Sequence, residues 1–193
     1  MATAYPANAA GPLPDTHWRT RDIVIAAVIG VAFGVAFWAF GVVWKALESA
    51  GPLLNVLYGI WLMPAIVAPL IIRKPGAAVF AELVAAGLSA LLGSVWAVDT
   101  LLSGFVQGAA AELVFAFTLY RVWSFPILAL AGLASAAAAF VHDVVLYFSA
   151  YATDALIVIA FAMAVSGAIV LPLASIALVR SLRRSGVLEG FPV

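Results

Sequence analysis

Two glutamates, Glu82 and Glu112, stand inside otherwise apolar runs and are the residues of this sequence most able to do chemistry. A carboxylate at the centre of a bilayer costs ~2.5–3.5 kcal/mol on insertion scales, so a pair costs roughly 5–7 before compensation. A purely structural role calls for a partner, and no Lys or Arg lies within either run. The two groups are therefore either protonated and hydrogen-bonded, or completed by a cationic or donor-rich ligand. Other polar and aromatic residues form a band in the outer half of the membrane, with the two glutamates as its floor. Asn55, Tyr58 and Trp61 recur at a spacing of three, which places them on one helical stripe. Gln107 sits one turn and a half before Glu112 and reads equally well as interhelical glue. His142 and Asp143 are adjacent, so on a helix they project about 100° apart and do not face each other. Asp99 falls at a loop.

The elements that must position these groups are set by composition. Of 193 residues, 66% are hydrophobic and 9% charged, with nine Lys+Arg balancing nine Asp+Glu. An ordinary soluble domain carries roughly a quarter charged residues. The composition excludes a soluble enzyme, a basic nucleic-acid binder and a disordered chain. With zero cysteines, a disulfide scaffold and a cysteine nucleophile are excluded too. The reading is an all-α integral membrane protein with six transmembrane helices. Its apolar runs cover residues 23–44, 53–72, 77–98, 101–120, 125–149 and 155–179, each near the ~20 residues a bilayer demands. Gly51-Pro52, Lys74-Pro75-Gly76 and Thr153-Asp154 punctuate them. Residues 1–18 read as a flexible tail, 19–184 as the membrane domain and 185–193 as a second tail.

With the N-terminus inside, Arg19, Arg21, Arg73, Lys74, Arg121, Arg180, Arg183 and Arg184 all fall on the cytoplasmic side, and Lys45 alone lies outside. The positive-inside rule then puts both termini in the cytoplasm of a multi-pass cell-membrane protein. At 1.5 Å per residue, Glu82 and Glu112 come out ~12–14 Å from the cytoplasmic cations, near mid-membrane. Ala26, Gly30 and Gly34 recur every four residues in the first run, a spacing that permits close helix approach, read first as packing within the bundle. No P-loop motif follows either lysine, so the chain cannot drive transport with its own ATP. One enzyme reading survives, an intramembrane Ser89–His142 dyad, although serine in an apolar helix usually bonds its own backbone.

The runs R-K-P-G-A-A-V-F-A-E-L-V-A at 73–85, L-G-S at 92–94, Q-G at 107–108 and A-E-L-V-F-A at 111–116 resemble the YkoE family. These are substrate-binding (S) subunits of energy-coupling-factor (ECF) importers. The resemblance implies a binder of thiamine or its hydroxymethylpyrimidine precursor, working with a transmembrane coupling (T) subunit and cytoplasmic ATPases. It implies no cofactor and no chemistry beyond binding. A solute of another kind is the alternative. Helix one of many S subunits carries an Ala-x-x-x-Ala face for the coupling subunit, and the matching positions here are Ala26, Gly30 and Gly34. Glu112 and Glu82, in the matching motifs, would anchor the aminopyrimidine with Gln107 beside them. Tyr58 and Trp61 would stack on the thiazolium. Asn55, Trp96, His142 and Tyr147 are rim candidates.

Overall fold

The computed structural model describes residues 16–192. Of the expected N-terminal tail, the part before Thr16 lies outside the described residues. Every regular element among the described residues is helical. The order is α1 (Thr20–Leu47), a short 3-10 turn (Glu48–Ala50), a 3-10 helix (Pro52–Leu62) running into α2 (Met63–Ile72), α3 (Ala77–Leu91), α4 (Asp99–Phe117), α5 (Phe125–Leu146), α6 (Thr153–Val165), a π turn (Ser166–Val170) and α7 (Leu171–Arg184).

Five continuous segments are long and apolar enough to cross a bilayer: Thr20–Ala50, Pro52–Ile72, Asp99–Phe117, Phe125–Leu146 and Thr153–Arg184. The sixth expected run is shorter than its hydropathy suggests. α3 has 15 residues, or ~22 Å of a ~30 Å core. It stops because Gly93 takes a left-handed backbone (φ 87°), and the Ser94 amide closes back on the Ser89 carbonyl at 2.9 Å. The residues expected to continue the helix instead form a loop that carries Trp96. α4 likewise ends at Phe117, where Leu119 and Tyr120 turn left-handed (φ 52° and 56°).

The centre of the bundle is the Pro52–Ile72 segment. Every residue from Pro64 to Ile72 is buried, which fits a helix that is apolar all round. Its first half is the unusual part. Eleven residues of 3-10 helix far exceed the three or four that are common, and such runs mark strain or function. Pro64 is tolerated because it falls in the first turn of α2, where its missing N–H has no partner to lose.

α1 lies flat against α3. A Cβ on Gly30 would meet the Val84 Cβ at 2.6 Å, and one on Gly34 would meet the Leu88 Cβ at 2.8 Å. Ala26 on the same stripe is fully buried. The small-residue face read as a coupling-subunit surface is therefore covered by a helix of its own chain. This corrects that assignment: backbones this close leave no room for a second helix on the stripe. The R-K-P-G turn is pinned to the start of α1. Lys74 Nζ pairs with Asp22 Oδ2 at 2.7 Å, and the Trp18 indole donates to the Pro75 carbonyl at 2.9 Å. At the far end of the chain, Leu188 is buried and Arg21 stacks over Phe191 at 5.0 Å, so the residues read as a second tail fold back on the bundle.

Candidate functional site: an aromatic cavity floored by a carboxylate

A cavity opens at the end of the bundle away from the start of α1 and the end of α7. It is walled by the C-terminal ends of α1, α3 and α5, the start of α4 and the 3-10 helix, and encloses about 780 Å³ including its mouth. Seven of the nine expected binding residues line it: Tyr58, Trp61, Glu82, Trp96, Gln107, His142 and Tyr147. Glu112 and Asn55 do not.

The 3-10 geometry accounts for the aromatic wall. Three residues per turn put Asn55, Tyr58 and Trp61 in one row, eclipsed rather than staggered. Tyr58 and Trp61 have ring centroids 5.2 Å apart. Trp61 in turn meets Trp44 from α1 at 4.6 Å and Trp96 from the loop at 5.4 Å, all edge-to-face. Asn55 leads the row but folds back, with Nδ2 donating to the Pro52 carbonyl at 2.9 Å. Its side chain ties off the start of the 3-10 helix.

The two glutamates separate in role. Glu82 is fully buried. Its Oε2 accepts from the Ala65 amide at 3.0 Å, an N–H in the first turn of α2 that has no partner within that helix. Its Oε1 is buried and unpaired, and the residue lines the cavity. Glu82 thus caps a helix with one oxygen and leaves the other without a hydrogen-bond partner. Glu112 does only the first of these things. Its oxygens accept from the Gly76 amide at 2.6 Å, the Ala78 amide at 2.9 Å and the Tyr120 hydroxyl at 2.6 Å. It caps the N-terminus of α3 at the end of the bundle opposite the cavity. The depth count placed it too far into the membrane because α4 unwinds after Phe117, which leaves Glu112 only about a turn and a half from the helix end.

His142 and Asp143 do meet, contrary to their expected divergence. His142 Nδ1 lies 2.9 Å from Asp143 Oδ1, and its Nε2 lies 3.2 Å from Asp99 Oδ1. Tyr58 donates to Asp143 Oδ2 at 2.9 Å, and Tyr147 donates to Asp99 Oδ2. Gln107 donates to Ser103 Oγ at 2.6 Å and more weakly to the Tyr58 hydroxyl at 3.4 Å. Asp99, Asp143, Ser103 and Trp44 also line the cavity, although none was among the nine expected binding residues. For Asp143 the signal was its adjacency to a histidine; for Asp99, a carboxylate at the outer end of an apolar run. Both His142 nitrogens are held by aspartates, so the ring is not available to activate Ser89, which also lines the cavity.

Apolar helices that cross a bilayer around a polar-floored and aromatic-walled cavity define a membrane transport protein that binds its solute. The comparisons agree. The profile of the family described as "ABC-type cobalt transport system, permease component" matches residues 21–138. A Bacillus subtilis (strain 168) protein named as an HMP/thiamine permease, YkoE, is 36% identical over 176 residues, which span 90% of this chain and 88% of that one. A crystal structure described as an S-component of an ECF transporter superposes with a TM-score of 0.87 at 35% identity, covering 91% of each chain. The chain belongs to the YkoE family of transport-system membrane components. Although the matching family is named for cobalt, no group of three or more His, Asp or Glu among the described residues is arranged to hold a metal ion.

Proposed function

We propose that this chain is the substrate-binding S component of an ECF-type importer, and that it captures thiamine or hydroxymethylpyrimidine from outside the cell. Uptake itself is driven by a coupling subunit and ATPases carried on other chains. The observation that carries the reading is Glu82: a fully buried carboxylate with one oxygen capping α2 and the other unpaired at the floor of an aromatic cavity. An exocyclic amine of an aminopyrimidine supplies the donor that oxygen lacks, as a charge-assisted bond. Trp61, Trp96 and Tyr58 supply faces for a heteroaromatic cation, with Gln107, His142 and Tyr147 completing the polar lining.

The orientation follows from charge. With α3 counted as a short sixth span, the end that bears the start of α1 and the end of α7 carries eight of the nine Lys and Arg residues, which supports a cytoplasmic location for it and an outward cavity mouth. Titration of tryptophan fluorescence in the purified chain tests the proposal. Three cavity-lining tryptophans, Trp44, Trp61 and Trp96, give saturable quenching with thiamine or hydroxymethylpyrimidine. An unchanged spectrum with both would sink it, and saturable quenching by an unrelated solute would favour an S component of different specificity.

A further inference from the structure

The end of the bundle opposite the aromatic cavity holds a second recess, which the proposed function does not use. It lies between the start of α1, the R-K-P-G turn after α2, the segment joining α4 to α5 and the residues past α7. Five cationic side chains line it, Arg19, Arg21, Arg73, Lys74 and Arg121, against one carboxylate among the described residues, Asp22. That carboxylate is already engaged: Lys74 Nζ lies 2.7 Å and Arg21 Nε 3.7 Å from its oxygens. The positive-inside rule accounts for cations scattered over this end of the bundle. It does not account for their convergence on a concavity.

Arg73 sets the recess apart from an ordinary basic surface. Its Nε is buried and makes no hydrogen bond, and the ion pairs of Asp22 do not include it. The guanidinium packs over the Trp123 ring at 5.6 Å, a contact that orients the group without neutralising it. A buried donor with no acceptor carries the full desolvation penalty of the group, larger when the group is charged. The backbone at Arg73 is left-handed (φ 55°), at the position after a helix that glycine usually fills. Strain and an unpaired donor thus coincide on one side chain.

A guanidinium in this state lacks an anion with two oxygens to offer. Nε–H and one Nη–H form a fork that matches a phosphate bidentately, which an ammonium cannot do. Ile72, Trp123 and Phe191 add an apolar flank to the same recess, suited to the carbon side of an ester. Basic pockets between membrane helices at a cytoplasmic interface take lipid headgroups on the same grounds.

We propose that this recess binds the phosphate of an anionic phosphate ester, with Arg73 as its bidentate anchor and the neighbouring cations supplying the attractive field. A lipid headgroup at that bilayer surface and a soluble phosphate ester share this chemistry, and experiment separates the two sources.

Native mass spectrometry of the full-length chain in a neutral detergent reads the binding directly. The probes are phosphatidylglycerol, zwitterionic phosphatidylcholine and glycerol 3-phosphate, which has the phosphate without acyl chains. Phosphatidylglycerol is expected to be retained about tenfold more tightly than phosphatidylcholine, and Arg73→Gln to remove most of that preference. If glycerol 3-phosphate does not displace it, the source is lipid; displacement at comparable concentration makes the ligand a soluble ester. Equal retention of the two lipids with no uptake of glycerol 3-phosphate overturns the proposal, as does an Arg73→Gln variant that binds like the unmodified chain. If Arg73→Gln does not fold, Arg73→Lys decides. It keeps the charge but loses the fork, so affinity must fall by about threefold or more, and unchanged affinity overturns the proposal. Loss of assembly with a coupling subunit in either variant, with lipid binding unaltered, would give the recess to a protein partner and likewise overturn it.

Discussion

Two glutamates in similar sequence settings carry different loads, and their substitutions should separate cleanly. In Glu82→Gln the side-chain carbonyl can still accept from Ala65, but an amide donor replaces the acceptor that faces the cavity. Thiamine affinity is expected to fall by about tenfold or more, with the melting temperature little changed. Glu112→Gln loses part of a two-bond cap on α3 and weakens the bond from the Tyr120 hydroxyl. A loss of ~1–3 kcal/mol in stability is expected, with affinity changed less than about twofold. Thermal unfolding and fluorescence titration of both variants check the pair; a binding defect confined to Glu112→Gln would reverse the assignment. The sequence made both residues conspicuous for a sound reason, the cost of a carboxylate in hydrocarbon. It could not tell them apart, because the donors that each satisfies lie on other helices, at Ala65 and at Gly76 and Ala78. The His142–Asp143 contact was hidden for a different reason. Helical projection fixes where Cβ atoms point, not where a histidine ring nitrogen reaches.

At the level of elements, hydropathy located the bundle well and its local geometry poorly. The runs at 53–72 and 155–179 correspond to continuous segments, yet one begins as a 3-10 helix and the other contains a π turn. Both depend on tertiary packing: the Gly59 amide, in the 3-10 helix, donates to Ser166 Oγ at the π turn at 2.7 Å. The stripe at 55, 58 and 61 was legible because a spacing of three lies on one face in either helix type. The α1 stripe was legible as a close-contact surface, but its partner was not, since spacing alone does not say whether the second helix belongs to the same chain. Gly34→Val tests the assignment to α3. It is expected to destabilise the isolated chain by ~1–3 kcal/mol through overpacking against Leu88. An unchanged melting temperature, with assembly with a coupling subunit lost, would return the stripe to the partner.

For the whole molecule, the uneven distribution of cations makes a topological prediction that the natural sequence is well suited to test. The chain has no cysteine, so single cysteines can be introduced without removing any. In intact cells, Ser49→Cys, near the cavity mouth, is expected to react with a membrane-impermeant maleimide. Ser185→Cys, just past α7, is expected to react only after permeabilisation. The opposite pattern would put the cavity mouth in the cytoplasm and convert the proposed importer subunit into something that binds from within.

Glu82 also gives the molecule a built-in reporter. One of its oxygens holds the Ala65 amide while the other has no partner, so a ligand bound there would draw on the same carboxylate that caps the start of α2. A donor arriving from the ligand shifts electron density away from the Ala65 bond while closing off the path by which water reaches it. Amide hydrogen exchange registers both effects, and the exclusion of solvent dominates in a sealed cavity. Exchange at Ala65 is expected to slow when thiamine binds, and in Glu82→Gln to slow only at about tenfold higher thiamine. A single backbone proton, far from either terminus, would then record whether the site is full.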